Sequence, residues 1–168
     1  ISIDDRVLKL LLLGAGDSCK STLFKQAISL YGKGVTNEDL TSLVPHIHNN
    51  IICSISALAS NVERWGQVSN DHVAALLTIR NSSTSDDFSL SAEQFECIKQ
   101  LWSDPAIQTA WNHRSEFQIF DSASYFFNKI NQIQQPDYLP TQEDHLRIRV
   151  RTTGIVETQF EIEGTAFK

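Results

Sequence analysis

The chain has 168 residues, 41% of them hydrophobic and 20% charged, which suits one soluble globular domain or two small ones. A net charge of −6 and a pI of about 5.3 exclude the broad basic face that nucleic-acid binding needs, so no nucleic-acid partner is expected. No apolar run approaches the roughly 18 residues of a membrane span, and the charged first residues do not read as a signal peptide. Cys19, Cys53 and Cys97 are too few and too scattered for a disulfide framework or a zinc ribbon, which points to a reduced, cytosolic setting. The sequence starts at Ile1 without a methionine and stops at Lys168 just after a strand-like stretch, so both ends read as cut.

Val7 to Leu13 is an apolar run expected to form a buried strand. Directly after it, Gly14-Ala15-Gly16-Asp17-Ser18-Cys19-Lys20-Ser21-Thr22 matches a phosphate-binding P-loop at every fixed position except Cys19. Such a loop aims successive main-chain N–H groups at phosphate oxygens, and the helix behind it adds the positive end of its dipole. Lys20 is then the residue that reaches the outer phosphates, and the Ser21 hydroxyl is placed for a magnesium ion. The segment from Ser21 to Ile28 continues as a helix with Leu23, Phe24, Ala27 and Ile28 at core-facing spacing. The alternative is an ordinary strand-to-helix turn that happens to contain Lys-Ser.

Beyond this unit the periodicity is helical. Leu43, Ile47, Ile51, Ile55, Leu58 and Val62 recur at three- and four-residue intervals, predicting one long helix from Asn37 to about Trp65. A shorter helix is expected over 69–79, followed by a polar connection over 81–87. Ser91 with Gln94 starts a third helix through Phe95, Ile98 and Leu101, and Asp104-Pro105 ends it and opens another over 106–113. Asp121 or Ser122 is expected to cap a helix through Tyr125, Phe126, Ile130 and Ile133, which Gln135-Pro136 stops. The stretch from Pro140 to Asp144 begins a last short helix. After it, 147–151 alternates and 155–162 reads as a strand.

The five histidines are scattered and read as structural or surface residues. Trp65, Trp102 and Trp111 read as core packing. The expected plan is mainly α: an all-helical block of residues 35–147 inserted between 1–34 and 148–168, which form an incomplete α/β part.

These features together resemble the α subunits of heterotrimeric G proteins. The likeness is carried by the P-loop, by 99–108, by Phe120-Asp121-Ser122-Ala123-Ser124-Tyr125, and by 137–144 running into Arg149-Val150-Arg151-Thr152-Thr153-Gly154-Ile155-Val156-Glu157-Thr158. The resemblance implies an all-helical insertion within a P-loop, Ras-like GTPase domain that acts as a GTP/GDP switch. It places Gly16, Asp17, Ser18, Cys19, Lys20, Ser21 and Thr22 on the phosphates, Ser21 and Thr152 on magnesium, and Asp121 and Ser122 over the nucleotide. Leu146, Arg147, Ile148, Arg149, Val150, Arg151 and Thr152 would line the ribose and phosphates, with Arg149 catalytic. The family is itself a reference case for an arginine finger supplied in cis, a group worth about 10³ to 10⁵ in rate. Taken without the resemblance, Arg147, Arg149 and Arg151 also fit a solvated basic face.

By the same resemblance the partners would be a βγ dimer, a seven-helix receptor, an effector and a GTPase-activating regulator. The location would be the cytoplasmic face of the plasma membrane, with lipidation on a missing N-terminus. Two departures stand out. Cys19 replaces a glycine where phosphate oxygens need room, which predicts impaired nucleotide binding; a redox-active thiol is the other reading. The water-orienting glutamine of the second switch and the guanine-reading loop would lie beyond Lys168, so this chain alone is not expected to hydrolyse GTP. A rival reading is a non-catalytic helical module with a vestigial P-loop, and a third is a P-loop protein for another nucleotide.

Overall fold

The computed structural model describes residues 7–14, 20–32, 34–82, 88–150, 157–162 and 164–168. In chain order the described elements are α1 (Lys20–Tyr31), α2 (Asn37–Thr41), α3 (Val44–Asn61), α4 (Val73–Arg80), α5 (Ala92–Ser103) and α6 (Pro105–Asn112). They continue with α7 (Ala123–Asn128), α8 (Ile130–Ile133), α9 (Gln142–Arg147), β1 (Phe160–Ile162) and β2 (Thr165–Phe167). The structure is mostly helical. Two compact units divide it: Ile1–Thr41 with Pro140–Lys168, and Ser42–Leu139.

The continuous unit is a helical bundle built around α3. Ile47, Ile51, Ile55 and Leu58 repeat at the helical period, and each is at most 1% exposed. They face α4, α5, α6 and α7, which supply Ile79, Ile98, Leu101, Ile107, Phe126 and Phe127 to the same core. Helix starts are specified locally. The Ser91 hydroxyl accepts from the Gln94 amide at 3.2 Å while the Gln94 side chain accepts from the Ser91 amide at 2.9 Å, a reciprocal cap for α5.

Asp104 does more. Its Oδ1 accepts from the Ala106 amide at 2.8 Å, capping α6 behind Pro105. Its Oδ2 accepts from the Ser69 amide at 3.0 Å and meets His72 Nδ1 at 2.8 Å, and the whole residue is buried. Burial alone would raise this carboxyl's pKa, but the bonds from His72, Ser69 and Ala106 outweigh it and hold the group below the usual carboxylate range.

The single long helix expected from Asn37 is interrupted. A turn at Ser42-Leu43 separates α2 from α3, with Pro45 in the first turn of α3. Proline has no N–H to give and its ring collides with the carbonyl four residues back, which here belongs to Thr41, so the helix restarts rather than continues. Likewise α7 and α8 are two pieces joined at Lys129, and Ser122, at the start of α7, makes no capping bond. Its ψ of 0° departs from the extended conformation that turns a capping hydroxyl toward the helix amides. The three tryptophans are half-buried rather than central. Trp102 packs on Phe127 at 4.7 Å and edge-on to Trp111 at 5.7 Å, while Trp65 stacks on His113 at 5.1 Å.

The other unit contains α1, α2, α9 and a small sheet. β1 and β2 form an antiparallel hairpin whose turn includes Gly164 at φ 77°, a conformation glycine adopts freely. The expected strand over 155–162 is limited, among the described residues, to Phe160–Ile162. On the far edge of β2 the segment around Leu8 runs parallel. The Leu8 amide bonds the Ala166 carbonyl, the Lys168 amide bonds the Leu8 carbonyl and the Leu10 amide bonds the Lys168 carbonyl, each at 2.9 Å.

The 7–13 run is thus extended and paired in part, but not buried. Leu10, Leu11, Leu12 and Leu13 are 42–81% exposed. A parallel strand is buried only when both sheet faces are covered, and the described sheet is too small for that. Leu23, expected in the core, is also exposed, while Phe24, Ala27 and Ile28 are half-buried. Gly32 ends α1: its amide bonds the Ile28 carbonyl, and a Cβ there would lie 2.6 Å from that oxygen.

Candidate functional site

Lys20, Ser21 and Thr22, expected from the sequence at the phosphates, form the first turn of α1. That turn contains no acidic side chain, and it lies at the positive dipole end of this 12-residue helix. Lys20 Nζ donates to the Gly14 carbonyl at 2.7 Å, which holds the amine over the start of the glycine-rich motif. Ser21 is half-buried and Thr22 exposed. The Ser21 hydroxyl is a hard oxygen donor at the head of a helix, a type that suits magnesium. Gly16, Asp17, Ser18 and Cys19 lie outside the described residues, as do Arg151 and Thr152.

The second group surrounds the exit of α9. Thr141 and Asp144 cap that helix reciprocally. The Thr141 amide donates to Asp144 Oδ2 at 2.6 Å, the Asp144 amide donates to Thr141 Oγ1 at 3.2 Å, and Asp144 is fully buried. At the other end of α9, Arg147 is paired with Glu143: Nε lies 3.0 Å and Nη2 2.9 Å from Oε1. Ile148 then turns extended, with ψ 135°, and is 3% exposed. Its neighbour Arg149 is exposed, while Leu146 and Val150 are half-buried. Both arginines are exposed; Arg147 is paired with a carboxylate on its own helix, and Arg149 directly follows the buried Ile148.

These two groups belong to one compact unit, and Lys25 joins them. From α1 its Nζ donates to the carbonyls of His145 at 2.9 Å and Ile148 at 2.8 Å, the carbonyls left open at the end of α9. Burial lowers the pKa of this amine from its ordinary value. Sequence reasoning missed it. The available signal was a lysine beside Phe24, Ala27 and Ile28, on a part of α1 otherwise expected to pack.

Asp121 and Ser122 lie in the helical unit, in the turn before α7, with Asp121 exposed and Ser122 half-buried. Among the described residues no group of three or more His, Cys, Asp or Glu side chains is arranged to hold a metal. A cavity of about 490 Å³ lies in the other unit between the leucine run and α1, lined by Leu10, Leu12, Phe24, Ala27, Tyr31 and Ile162 among others. None of the expected nucleotide residues among those described lines it. No described helix is long and apolar enough to cross a membrane.

A family model described as G-protein alpha subunit matches residues 2–168. The guanine nucleotide-binding protein alpha-15 subunit of Caenorhabditis briggsae is 38% identical over 165 residues, covering 95% of this chain and 46% of that protein. The chain thus spans about half the length of that curated relative. A match over almost every position, including the helical unit and both ends of the candidate site, means that the chain belongs to the G-protein alpha subunit family.

Proposed function

We propose that this chain supplies the phosphate-binding and arginine-bearing part of a GTP/GDP signalling switch. The observation that carries the reading is the placement, in one compact unit, of Lys20 at the head of α1 and of exposed Arg149 just beyond α9. The amides of the P-loop and Lys20 would bind the phosphates. Ser21, with Thr152, would hold magnesium, which when bound neutralises charge on the outer phosphate oxygens. Arg149 would place its guanidinium on the transferring phosphoryl group, and Arg147, tied to Glu143, would serve the shape of the segment rather than the chemistry.

Asp121 and Ser122 would contact the nucleotide from the helical unit. A Ras-like GTPase domain would be completed by sequence beyond this chain, including the water-orienting and guanine-reading residues. A βγ dimer, a seven-helix receptor, an effector and a GTPase-activating regulator at the inner face of the plasma membrane would be its partners. The rival, a helical module with a vestigial P-loop, draws support from the self-contained core of Ser42–Leu139.

Binding of a fluorescent GTP analogue to the natural full-length polypeptide, with and without magnesium, separates the two. The switch predicts binding that GTP displaces and ATP does not, a loss of about tenfold or more on Lys20→Ala, and a gain on Cys19→Gly. A Cys19→Gly protein whose melting ignores both GTP and magnesium would leave the helical module. An unchanged affinity in Cys19→Gly would remove the steric account of Cys19.

A further inference from the structure

We infer that Lys25 is a positioning residue: by closing the C-terminal end of α9 it holds the segment that presents Arg149 to the phosphate site. The catalytic half of this inference rests on the proposed switch. The structural half rests on three features of the same unit.

One amine bridges two elements that are far apart in the sequence, donating from α1 to the carbonyls of both His145 and Ile148. The last carbonyls of a helix carry its negative dipole end, so an ammonium there is favourable as a charge as well as a donor. Ile148, whose carbonyl accepts one of these bonds, is 3% exposed and immediately precedes Arg149. The buried side chain and the bonded carbonyl leave the Arg149 backbone little freedom to shift relative to α1. Finally, α1 is the helix whose first turn presents Lys20 and Ser21. A rigid helix therefore fixes the phosphate-binding end at one point and, through Lys25, the arginine-bearing segment at another. An arginine on a long flexible side chain contributes to a transition state only if its backbone is held, and a displacement of about 1 Å is enough to cost about 10²-fold.

The opposite end of α9 is closed by the Thr141–Asp144 cap, so the helix is secured at both ends by different means. The charges facing Lys25 are those of His145, on α9, and beyond it Asp39, on α2. The described hydrogen-bond partners of the amine are main-chain carbonyls. Replacing it with a neutral side chain of similar length removes the tie and leaves the volume nearly filled.

Two measurements test the inference. In the first, amide hydrogen exchange is followed at Ile148, whose N–H bonds the Asp144 carbonyl at 2.8 Å. Lys25→Met should speed exchange there about tenfold or more relative to amides of the helical unit, whereas an unchanged rate overturns the tie. In the second, single-turnover GTP hydrolysis by the natural full-length polypeptide is compared for wild type, Lys25→Met, Arg149→Ala and the double variant. Lys25→Met should lower the rate about ten- to hundredfold with little change in nucleotide affinity, and should have no further effect once Arg149 is absent. Lys25→Arg, which keeps charge and donors, should recover most of the rate.

An equal loss from Lys25→Met on both backgrounds overturns the positioning role. So does an unchanged rate in Lys25→Met while Arg149→Ala is impaired. If Arg149→Ala itself leaves hydrolysis intact, the proposed catalytic role of Arg149 fails, and the role of Lys25 toward it fails as well.

Discussion

Ile55 and Leu11 are both aliphatic and both lie in runs that read as core, yet Ile55 is fully buried and Leu11 is 76% exposed. Ile55 belongs to a helix whose apolar face is covered by its near neighbours in sequence, α4 to α7, so the bundle closes on itself. Leu11 belongs to an extended run whose side chains alternate between two faces, and each face needs a separate covering layer. The described part of its unit offers three helices, α1, α2 and α9, and a hairpin of two three-residue strands. The lesson is about period. A stripe at the helical repeat asks for one partner surface, whereas a continuous apolar strand asks for two, and only the first demand is met by the described residues around it.

Substitutions in the two units should break that symmetry between like residues. The largest effect is expected at Phe126, which is 1% exposed at the centre of the bundle. Phe126→Ala should lower the stability of the helical unit by about 3–5 kcal/mol, read from a denaturant midpoint, whereas Leu11→Ala should change it by less than about 0.5 kcal/mol. Comparable losses at the two sites would mean that the leucine run has cover of its own.

Asp104 comes next. Asp104→Ala removes a buried helix cap and takes the acceptor from the Ser69 amide and from His72, which should cost about 2–3 kcal/mol in the helical unit. Asp104→Asn, which keeps acceptor oxygen for one of these amides, should cost less. Equal losses for both would place the effect in charge rather than in capping.

The third effect depends on pH. His48 is buried against Phe95, its Nδ1 accepts from the Leu90 amide at 3.3 Å, and its Nε2 finds no protein partner among the described residues. Burial pushes its pKa down to about 4. Because the folded state resists protonation, this residue's contribution is intact above the unfolded value near 6.5. It is lost as the pH falls from there toward 4, by about 2 kcal/mol after allowing for screening. His48→Gln should flatten the stability profile in that window. A profile that keeps its slope would assign the acid sensitivity to other groups.

Much of the helical unit was legible in the sequence because its signals are local. Ser91 with Gln94 marks the start of α5, Asp104-Pro105 marks the start of α6, and the isoleucines of α3 announce the buried face. The break at Ser42-Leu43 was also written there, in Pro45, but the continuous apolar period on either side masked it. In the candidate site the order of extended run, glycine-rich motif and helix was readable, whereas the role proposed for Arg149 comes from the resemblance alone. The pairing of Arg147 with Glu143 and the reach of Lys25 to α9 were not readable. A tie between positions so distant in the chain has no local pattern, because its acceptors are main-chain carbonyls that every residue possesses.

The pairing of Leu8 with Phe167 has a further consequence, in the order of events when the chain is made. The two residues lie on either side of the whole helical unit, so the leucine run acquires this hydrogen-bonding partner only after residues 42–139 have been synthesised. The helical unit, continuous from Ser42 to Leu139, is complete well before then and can fold as it emerges. During that interval the run from Val7 to Leu13, six apolar residues and one lysine, lacks this partner and offers apolar surface that a chaperone would shield.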